Sequence, residues 1–304
     1  ASHPLAKKSG AVFIRRSFQD DAVYKISIRH YLAYVMEKRF PLAWSLEGTR
    51  SRLGKLMPPR YGILKYVLEA ANRRGIEDLK IIPVSIHYDL IPEIASYEEE
   101  QAGATKTKES LAWFVGFVAG MRKPLGRIFM DFGEPVAIAG RIAEEESHGE
   151  DAFSIALRKI AFEAAVNINR ATPLTSSGAI SFVMMSAAPQ ALTEAEIARE
   201  LLSIRAFAAA RALPMTHDFH DANTGNVRDV ARAMIEVGVL SRHDDGVETV
   251  YGVAPGQHFT ASYYRNTVAH LFVTNAIIEL ALADAMDSAA GASEADFWRA
   301  ALSL

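Results

Sequence analysis

The run Leu79-Lys80-Ile81-Ile82-Pro83-Val84-Ser85-Ile86 restricts the fold of this chain more than any other stretch. Branched aliphatics follow one another without the polar alternation of a half-exposed strand, so the run reads as a strand covered on both faces. A strand of that kind needs helices on either side. Residues 21–38 supply one, with Val23, Ile26, His30, Ala33 and Met36 at helical spacing; residues 60–74 supply a second, with Ile63, Val67 and Ala70 on one face and Gly75 at its end. Residues 106–122 read as a third helix. Ala11–Ile14, Pro41–Leu46 and Arg127–Phe132 read as further strands. The alternation predicts an α/β fold with a largely parallel sheet flanked by helices. The loops at 15–16, 47–55 and 87–89 all follow strands, where folds of this class place ligands.

At 304 residues the chain has room for one large or two modest domains. Composition changes at Gly140–Asp151, where Glu144, Glu145, Glu146, Glu150 and Asp151 mark an acidic linker or exposed turn. Residues 1–139 are expected to form the α/β domain, 140–151 the linker and 152–304 a mostly helical C-terminal region. Helical runs stand near 152–170, 178–187, 193–211, 226–238 and 262–286, and 240–251 reads as a hairpin turning at Asp245-Gly246. Both ends look cut. The chain starts at Ala1 beside a strand and stops at Leu304 just after an amphipathic run, Ala295 to Leu302, so the expectation is a piece of a longer protein.

Chemistry concentrates in Leu46-Glu47-Gly48-Thr49-Arg50-Ser51-Arg52-Leu53-Gly54-Lys55. Three cations fall within six residues, among small or hydroxyl-bearing neighbours. Arginine forks match phosphate oxygens in pairs, and Gly48 and Gly54 let the backbone approach a ligand closely. Glu47, beside the cations, is better explained as an orienting partner than as part of a solvated basic run. The stretch lacks the G-x-x-x-x-G-K-[ST] spacing of a nucleotide-cradling loop. It reads as an anion pocket for a phosphate.

Charge is uneven along the chain. Residues 1–139 carry 21 Lys/Arg against 15 Asp/Glu, and residues 140–304 carry 12 against 21. The first part suits anionic substrates or lipid headgroups and the second does not. There is no cysteine, hence no disulfide, thiolate metal site or cysteine nucleophile. His217, Asp218, His220 and Asp221 resemble a metal cluster on paper, but they sit in a glycine- and asparagine-bearing loop and read as a solvated turn; no metal and no cofactor is expected. A spanning helix takes about 20 apolar residues. The longest uninterrupted run, Leu111–Met121, has eleven, and the run near 267–283 is broken by His270, Asn275 and Glu279, so no segment is expected to span. Leu111–Val118 reads as a core helix, with a bilayer-surface helix as the alternative because Lys106, Lys108, Arg122 and Lys123 flank it.

Several of these stretches together resemble the glycerol-phosphate acyltransferases. Gly10-Ala11-Val12-Phe13-Ile14-Arg15-Arg16-Ser17-Phe18 resembles that family's second sequence block, Glu47-Gly48-Thr49-Arg50-Ser51-Arg52 its third and Ile82-Pro83-Val84-Ser85-Ile86 its fourth, in the family's order. The likeness extends through Ala104–Ser110 and Phe132-Gly133-Glu134-Pro135. Ser262-Tyr263-Tyr264-Arg265-Asn266-Thr267-Val268-Ala269-His270 is similar to a segment of the bacterial membrane-bound glycerol-3-phosphate acyltransferases.

The resemblance implies an acyltransferase-like fold for 1–139. It also implies transfer of a fatty acyl group from acyl-CoA or acyl carrier protein to the sn-1 hydroxyl of glycerol 3-phosphate, at the cytoplasmic face of the inner membrane as a peripheral protein. By motif, Arg16 and Arg50 hold the phosphate with Arg52 and Gly48 beside them, Glu47 holds the loop, and Pro83 shapes the strand. The family's base is a His-x-x-x-x-Asp pair. None of the nine histidines stands in that spacing, and the pair is expected upstream of Ala1, leaving the residues in hand with no catalytic side chain. His87-Tyr88-Asp89 reads as a polar loop rather than a substitute, and His270, four residues after Asn266, as a satisfied core residue or part of an acyl pocket.

Two rivals remain in the sequence. Residues 193–254 give helices and then a hairpin, the outline of a winged helix, but six arginines and no lysine face ten acidic residues there, and phosphate neutralisation needs the reverse. No nucleic-acid partner is expected. A sibling acyltransferase using dihydroxyacetone phosphate shares the same phosphate chemistry.

Overall fold

The computed structural model describes residues 8, 10–15, 21–49, 51–91, 126–220, 224–287 and 293–304. In chain order they form α1 (Ala22–Glu37), α2 (Tyr61–Arg74), β1 (Lys80–Ile81), β2 (Val84–Tyr88), β3 (Ile128–Phe132), β4 (Val136–Ala137), a 3-10 helix (Ala143–Asp151), α3 (Ala152–Ala171), α4 (Ser176–Ala187), β5 (Leu192–Thr193), α5 (Glu194–Ala210), the single turn α6 (His217–His220), α7 (Thr224–Glu236), β6 (Leu240–His243), β7 (Val250–Val253), α8 (His258–Asp287) and α9 (Glu294–Ser303). The helices lie where the spacing puts them, but of the residues that marked α1, Val23, Ile26 and His30 are exposed, and its buried face is Ile28, Leu32, Ala33, Val35 and Met36. The third expected helix, 106–122, lies outside the described residues.

The strands differ from expectation. Ala11–Ile14 and Pro41–Leu46 form no strand. The run 79–86 is divided at Ile82-Pro83: proline has no N–H to donate to a ladder, so β1 and β2 pair separately, β1 with β4 and β2 with β3. Every ladder among the described residues is antiparallel, and the parallel pairing expected from the alternation is limited to an isolated bridge between Leu174 and Met215. Nor is the run covered on both faces. The β2–β3 register sets Ile86 opposite Met130 and Tyr88 opposite Ile128, and all four are exposed. A continuous apolar run reports burial in general but names neither the partner strand nor its direction.

The chain divides into two compact units. One comprises Ala1–Gly48, Pro59–Ile81 and Val136–Glu163. Its core is the seam of α1 and α2, where Ile28, Leu32, Val35 and Met36 meet Leu64, Val67, Leu68 and Ala71. Leu64 and Leu68 are wholly buried; truncating either to alanine would cost about 2–5 kcal/mol. Asp21 caps α1 by accepting from the Tyr24 N–H at 2.9 Å. Gly75, left-handed at φ +61°, closes α2, as glycine does at helix ends. Within 140–151, the stretch expected as a linker, Glu145 is buried and paired with Lys159 at 2.6 Å.

The other unit comprises Thr49–Pro58, Ile82–Pro135 and Ala164–Leu304. Its core gathers Leu174, Ile180, Met184, Ile197, Phe219, Met234, Leu240, Tyr264 and Val268. α4 and α8 approach so closely that a β-carbon on Gly178 would lie 2.6 Å from Val268 Cγ1. Thr193 and Glu196 form a reciprocal capping box that starts α5. The hairpin expected around Asp245-Gly246 is β6–β7, and β5 adds to it in the order β5-β7-β6. By length and composition alone, α8 is long and apolar enough to cross a membrane: the span is His258–Met286, and 18 consecutive residues within it reach a mean hydropathy of 1.5. Its first half places Ala261, Tyr264 and Val268 in the core, while Val273, Ile278, Leu280, Leu282 and Met286 further along it are exposed.

Candidate functional site

The arginine loop begins at a tight turn. The Gly48 N–H donates to the Ser45 carbonyl at 3.2 Å, and the Arg60 N–H donates to Leu46 O at 2.8 Å, tying the start of α2 to the turn. Gly48 is left-handed at φ +65°, a conformation L-residues with a β-carbon enter only at a cost. A β-carbon there would lie 3.2 Å from Arg60 Cγ, so the Arg60 stem lies against one side of the glycine, which stays exposed. Glu47 is half-buried and has a polar partner of its own. Arg60 was not singled out by sequence reasoning; only its position before an α-helix could have marked it.

Past the turn the loop is held by α8. Ser51 Oγ donates to the Lys55 carbonyl at 2.6 Å, closing the stretch on itself. The Asn266 amide donates to Leu53 O at 2.8 Å. Gly54, at φ +74°, lies so near α8 that a β-carbon would sit 2.1 Å from Tyr263 O. Arg52 within this stretch is half-buried and partnered. Arg16 and Arg50, the two principal phosphate-binding candidates, lie outside the described residues.

Pro83 is buried between β1 and β2. Its carbonyl accepts from Gly133 N–H at 2.8 Å. Ser85 and His87 face inward from β2. Ser85 shares a 2.8 Å hydrogen bond with Thr172. His87 Nε2 is sealed from solvent with no hydrogen-bond partner among the described residues. Burial, and then the nearby His270, push the His87 pKa down to about 4. His270 donates from Nε2 to Asn169 O at 3.0 Å, and burial lowers its pKa as well. Both rings are therefore neutral near pH 7. His270 takes the place of a satisfied core histidine.

A polar knot lies at the mouth of the β2–β3 ribbon. Arg127 reaches Asp89 with Nε at 3.1 Å and Asp218 with a terminal nitrogen at 2.9 Å, and Ser176 Oγ donates to Asp218 at 2.7 Å. Burial raises the Asp89 pKa, with the Arg127 guanidinium opposing the shift. Nearby, the Tyr264 hydroxyl accepts from Ile91 N–H at 2.9 Å, and burial pushes its pKa up to about 12. Asp218, read from sequence with His217 and His220 as a solvated turn, is instead turned inward on a one-turn helix. Asp221 lies outside the described residues. Sequence reasoning missed this knot because its members are 38 to 129 positions apart, and each alone looks like a loop polar residue.

Residues 2–87, which carry the basic, glycine-bearing loop, match the family described as Acyltransferase. Residues 97–304 match the one described as "Glycerol-3-phosphate acyltransferase C-terminal region", and the chain belongs to that family. It is 34% identical over 288 residues to plsB1 of Mycobacterium tuberculosis (strain ATCC 25618 / H37Rv), which is named an acyltransferase; the match takes in 95% of this chain and 46% of the relative. It is 27% identical over 279 residues to the glycerol-3-phosphate acyltransferase of Haemophilus influenzae (strain PittEE), taking in 88% of this chain and 34% of that protein. The chain thus spans half or less of the length of these relatives.

Proposed function

We propose that the full-length protein is a glycerol-3-phosphate 1-O-acyltransferase of phospholipid synthesis. It would take the acyl group from acyl-CoA or acyl carrier protein. The observation that carries this reading is the Glu47–Arg52 loop, built on a left-handed Gly48, in a chain belonging to this family. Arg16, Arg50 and Arg52 bind the phosphate, Glu47 orients the loop and Pro83 shapes the adjoining strand. A His-x-x-x-x-Asp pair upstream supplies the base. The sn-1 hydroxyl, losing its proton to the histidine, attacks the thioester carbonyl; the carbon–sulfur bond breaks and the thiolate takes up the proton. No acyl-enzyme is needed, and a chain without cysteine loses nothing by that route. The residues in hand then bind substrate better than they react.

The largely parallel sheet belongs to the same reading, supported by the match of residues 2–87 and not by the described ladders, which are antiparallel. So does the division into an acyltransferase domain over 1–139, a junction at 140–151 and a helical region over 152–304. The excess of cations before residue 140 supports peripheral attachment to the cytoplasmic face of an anionic inner membrane.

The test measures acyl transfer from labelled palmitoyl-CoA by the full-length protein and its Arg50→Ala variant, with glycerol 3-phosphate and dihydroxyacetone phosphate in parallel. Glycerol 3-phosphate should be the better acceptor, and the variant should raise its KM about tenfold or more, as for one charged hydrogen bond. Equal KM values in both proteins would overturn the phosphate assignment. Preference for dihydroxyacetone phosphate would move the protein to the sibling reaction.

A further inference from the structure

We infer that Asn266 is a positioning residue for substrate phosphate: from α8 its amide holds the arginine loop in the shape that binds. The inference rests on the phosphate reading of that loop. It assigns the helical region a task in binding the phosphorylated acceptor.

The contact is specific in chemistry as well as distance. Asn266 has one acceptor and one donor end, and the surroundings fix which way they point. Arg265 donates to Asn266 Oδ1 from Nε at 3.2 Å and from a terminal nitrogen at 2.9 Å. That turns the NH2 group toward Leu53 O, 2.8 Å away and 213 residues earlier in the chain. One residue on, Gly54 meets the Tyr263 carbonyl at a separation that leaves no room for a β-carbon. The loop thus has two adjacent seats on consecutive turns of α8, one polar and one steric. The Ser51–Lys55 hydrogen bond passes that constraint to the residues between, Arg52 among them.

The physical benefit is preorganisation. A glycine-flanked loop carrying several cations repels itself and samples many shapes. Ordering it on substrate arrival would subtract from phosphate affinity. An amide that already holds one loop carbonyl removes part of that cost without touching the substrate. The expected signature is therefore in acceptor binding and not in the acyl donor.

The test uses the full-length protein with three forms: unchanged, Asn266→Asp and Gly54→Ala. Aspartate has the size of asparagine and still accepts from Arg265, but it cannot donate to Leu53 O. We expect Asn266→Asp to raise the KM for glycerol 3-phosphate about three- to tenfold, the worth of one hydrogen bond. The KM for palmitoyl-CoA, kcat and the melting temperature should stay close to those of the unchanged protein. Gly54→Ala, which leaves Asn266 in place, should move the same KM in the same direction. Three results would overturn the inference: an unchanged acceptor KM in Asn266→Asp, a fall in kcat alone, or failure of that variant to fold, which would make the contact structural. If the unchanged protein neither binds nor acylates glycerol 3-phosphate, the phosphate reading itself falls and takes this inference with it.

Discussion

The Asn167 carbonyl oxygen lies 2.6 Å from where a β-carbon on Gly133 would stand, and the side-chain amide of the same asparagine donates to the neighbouring Glu134 carbonyl at 3.0 Å. The end of β3 is thereby seated directly on the last turns of α3. Gly133 is not left-handed, so its requirement is steric. The obstructing atoms are helix backbone, which cannot turn aside as a long side chain can. We predict that Gly133→Ala destabilises the protein by about 2–3 kcal/mol, the range for overpacking at a tight site. Urea unfolding measures this directly, and an unchanged midpoint would mean the ribbon shifts off the helix at little cost.

Acid should weaken the protein through His87. Its folded pKa of about 4 lies below the ordinary histidine value of 6.5, so the unfolded chain binds the proton more readily. Stability from this group is complete above about pH 6.5 and is lost progressively as pH falls toward 4; His270, shifted the same way, adds to the slope. The loss from His87 is on the order of 3 kcal/mol at most, from about 1.4 kcal/mol per pKa unit. His87→Phe should flatten the dependence of the melting temperature on pH between 4 and 6.5. A slope as steep as that of the unchanged protein would place the acid sensitivity elsewhere.

Arg127 neutralises two carboxylates that water reaches poorly, those of Asp89 and Asp218, whose side chains are 14% and 10% exposed. Removing the cation leaves two like charges in a site of reduced solvation. The full cost of breaking a buried pair is about 3–5 kcal/mol, but Arg127 is itself half-exposed, so we predict about 2–3 kcal/mol for Arg127→Met. The loss should be partly recovered in Arg127→Met with Asp218→Asn, which removes one of the stranded charges. A double variant weaker than the single one would refute the charge argument.

What the sequence disclosed follows from how far its signals reach. The spacing of Val67 and Ala70 and the stop at Gly75 are local, and α2 is found where they put it. The turn at Asp245-Gly246 is likewise local, and β6 and β7 flank it. Strand direction is not local: Val84 and Ile86 announce an apolar environment, but nothing in them says that Phe132 and Met130 will lie opposite and antiparallel. The inward turn of Asp218 depends on Arg127, 91 residues away, and the hold of Asn266 on Leu53 joins two motifs that were read separately. Gly48 as a turn glycine could be read from its own neighbourhood, and its φ is left-handed, whereas Arg60, which lies against it, carries no mark of that contact in its own.

Gly48 permits a test of whether backbone shape or space governs the turn at the head of the arginine loop. Its φ of +65° is costly for alanine, by about 1–2 kcal/mol, and less so for asparagine, which enters the left-handed region more readily. Either side chain would press on Arg60 Cγ at 3.2 Å, a contact the flexible arginine stem can relieve by moving. Shape should therefore dominate. We predict that Gly48→Ala lowers stability by about 1–2 kcal/mol and that Gly48→Asn loses less, despite its greater bulk. Adding Arg60→Ala to Gly48→Ala should recover little, because the strain sits in the backbone and not in the contact. Thermal melts of the four proteins decide it. A larger loss for asparagine than for alanine, or full recovery in the double variant, would show that crowding by Arg60 sets the requirement for glycine.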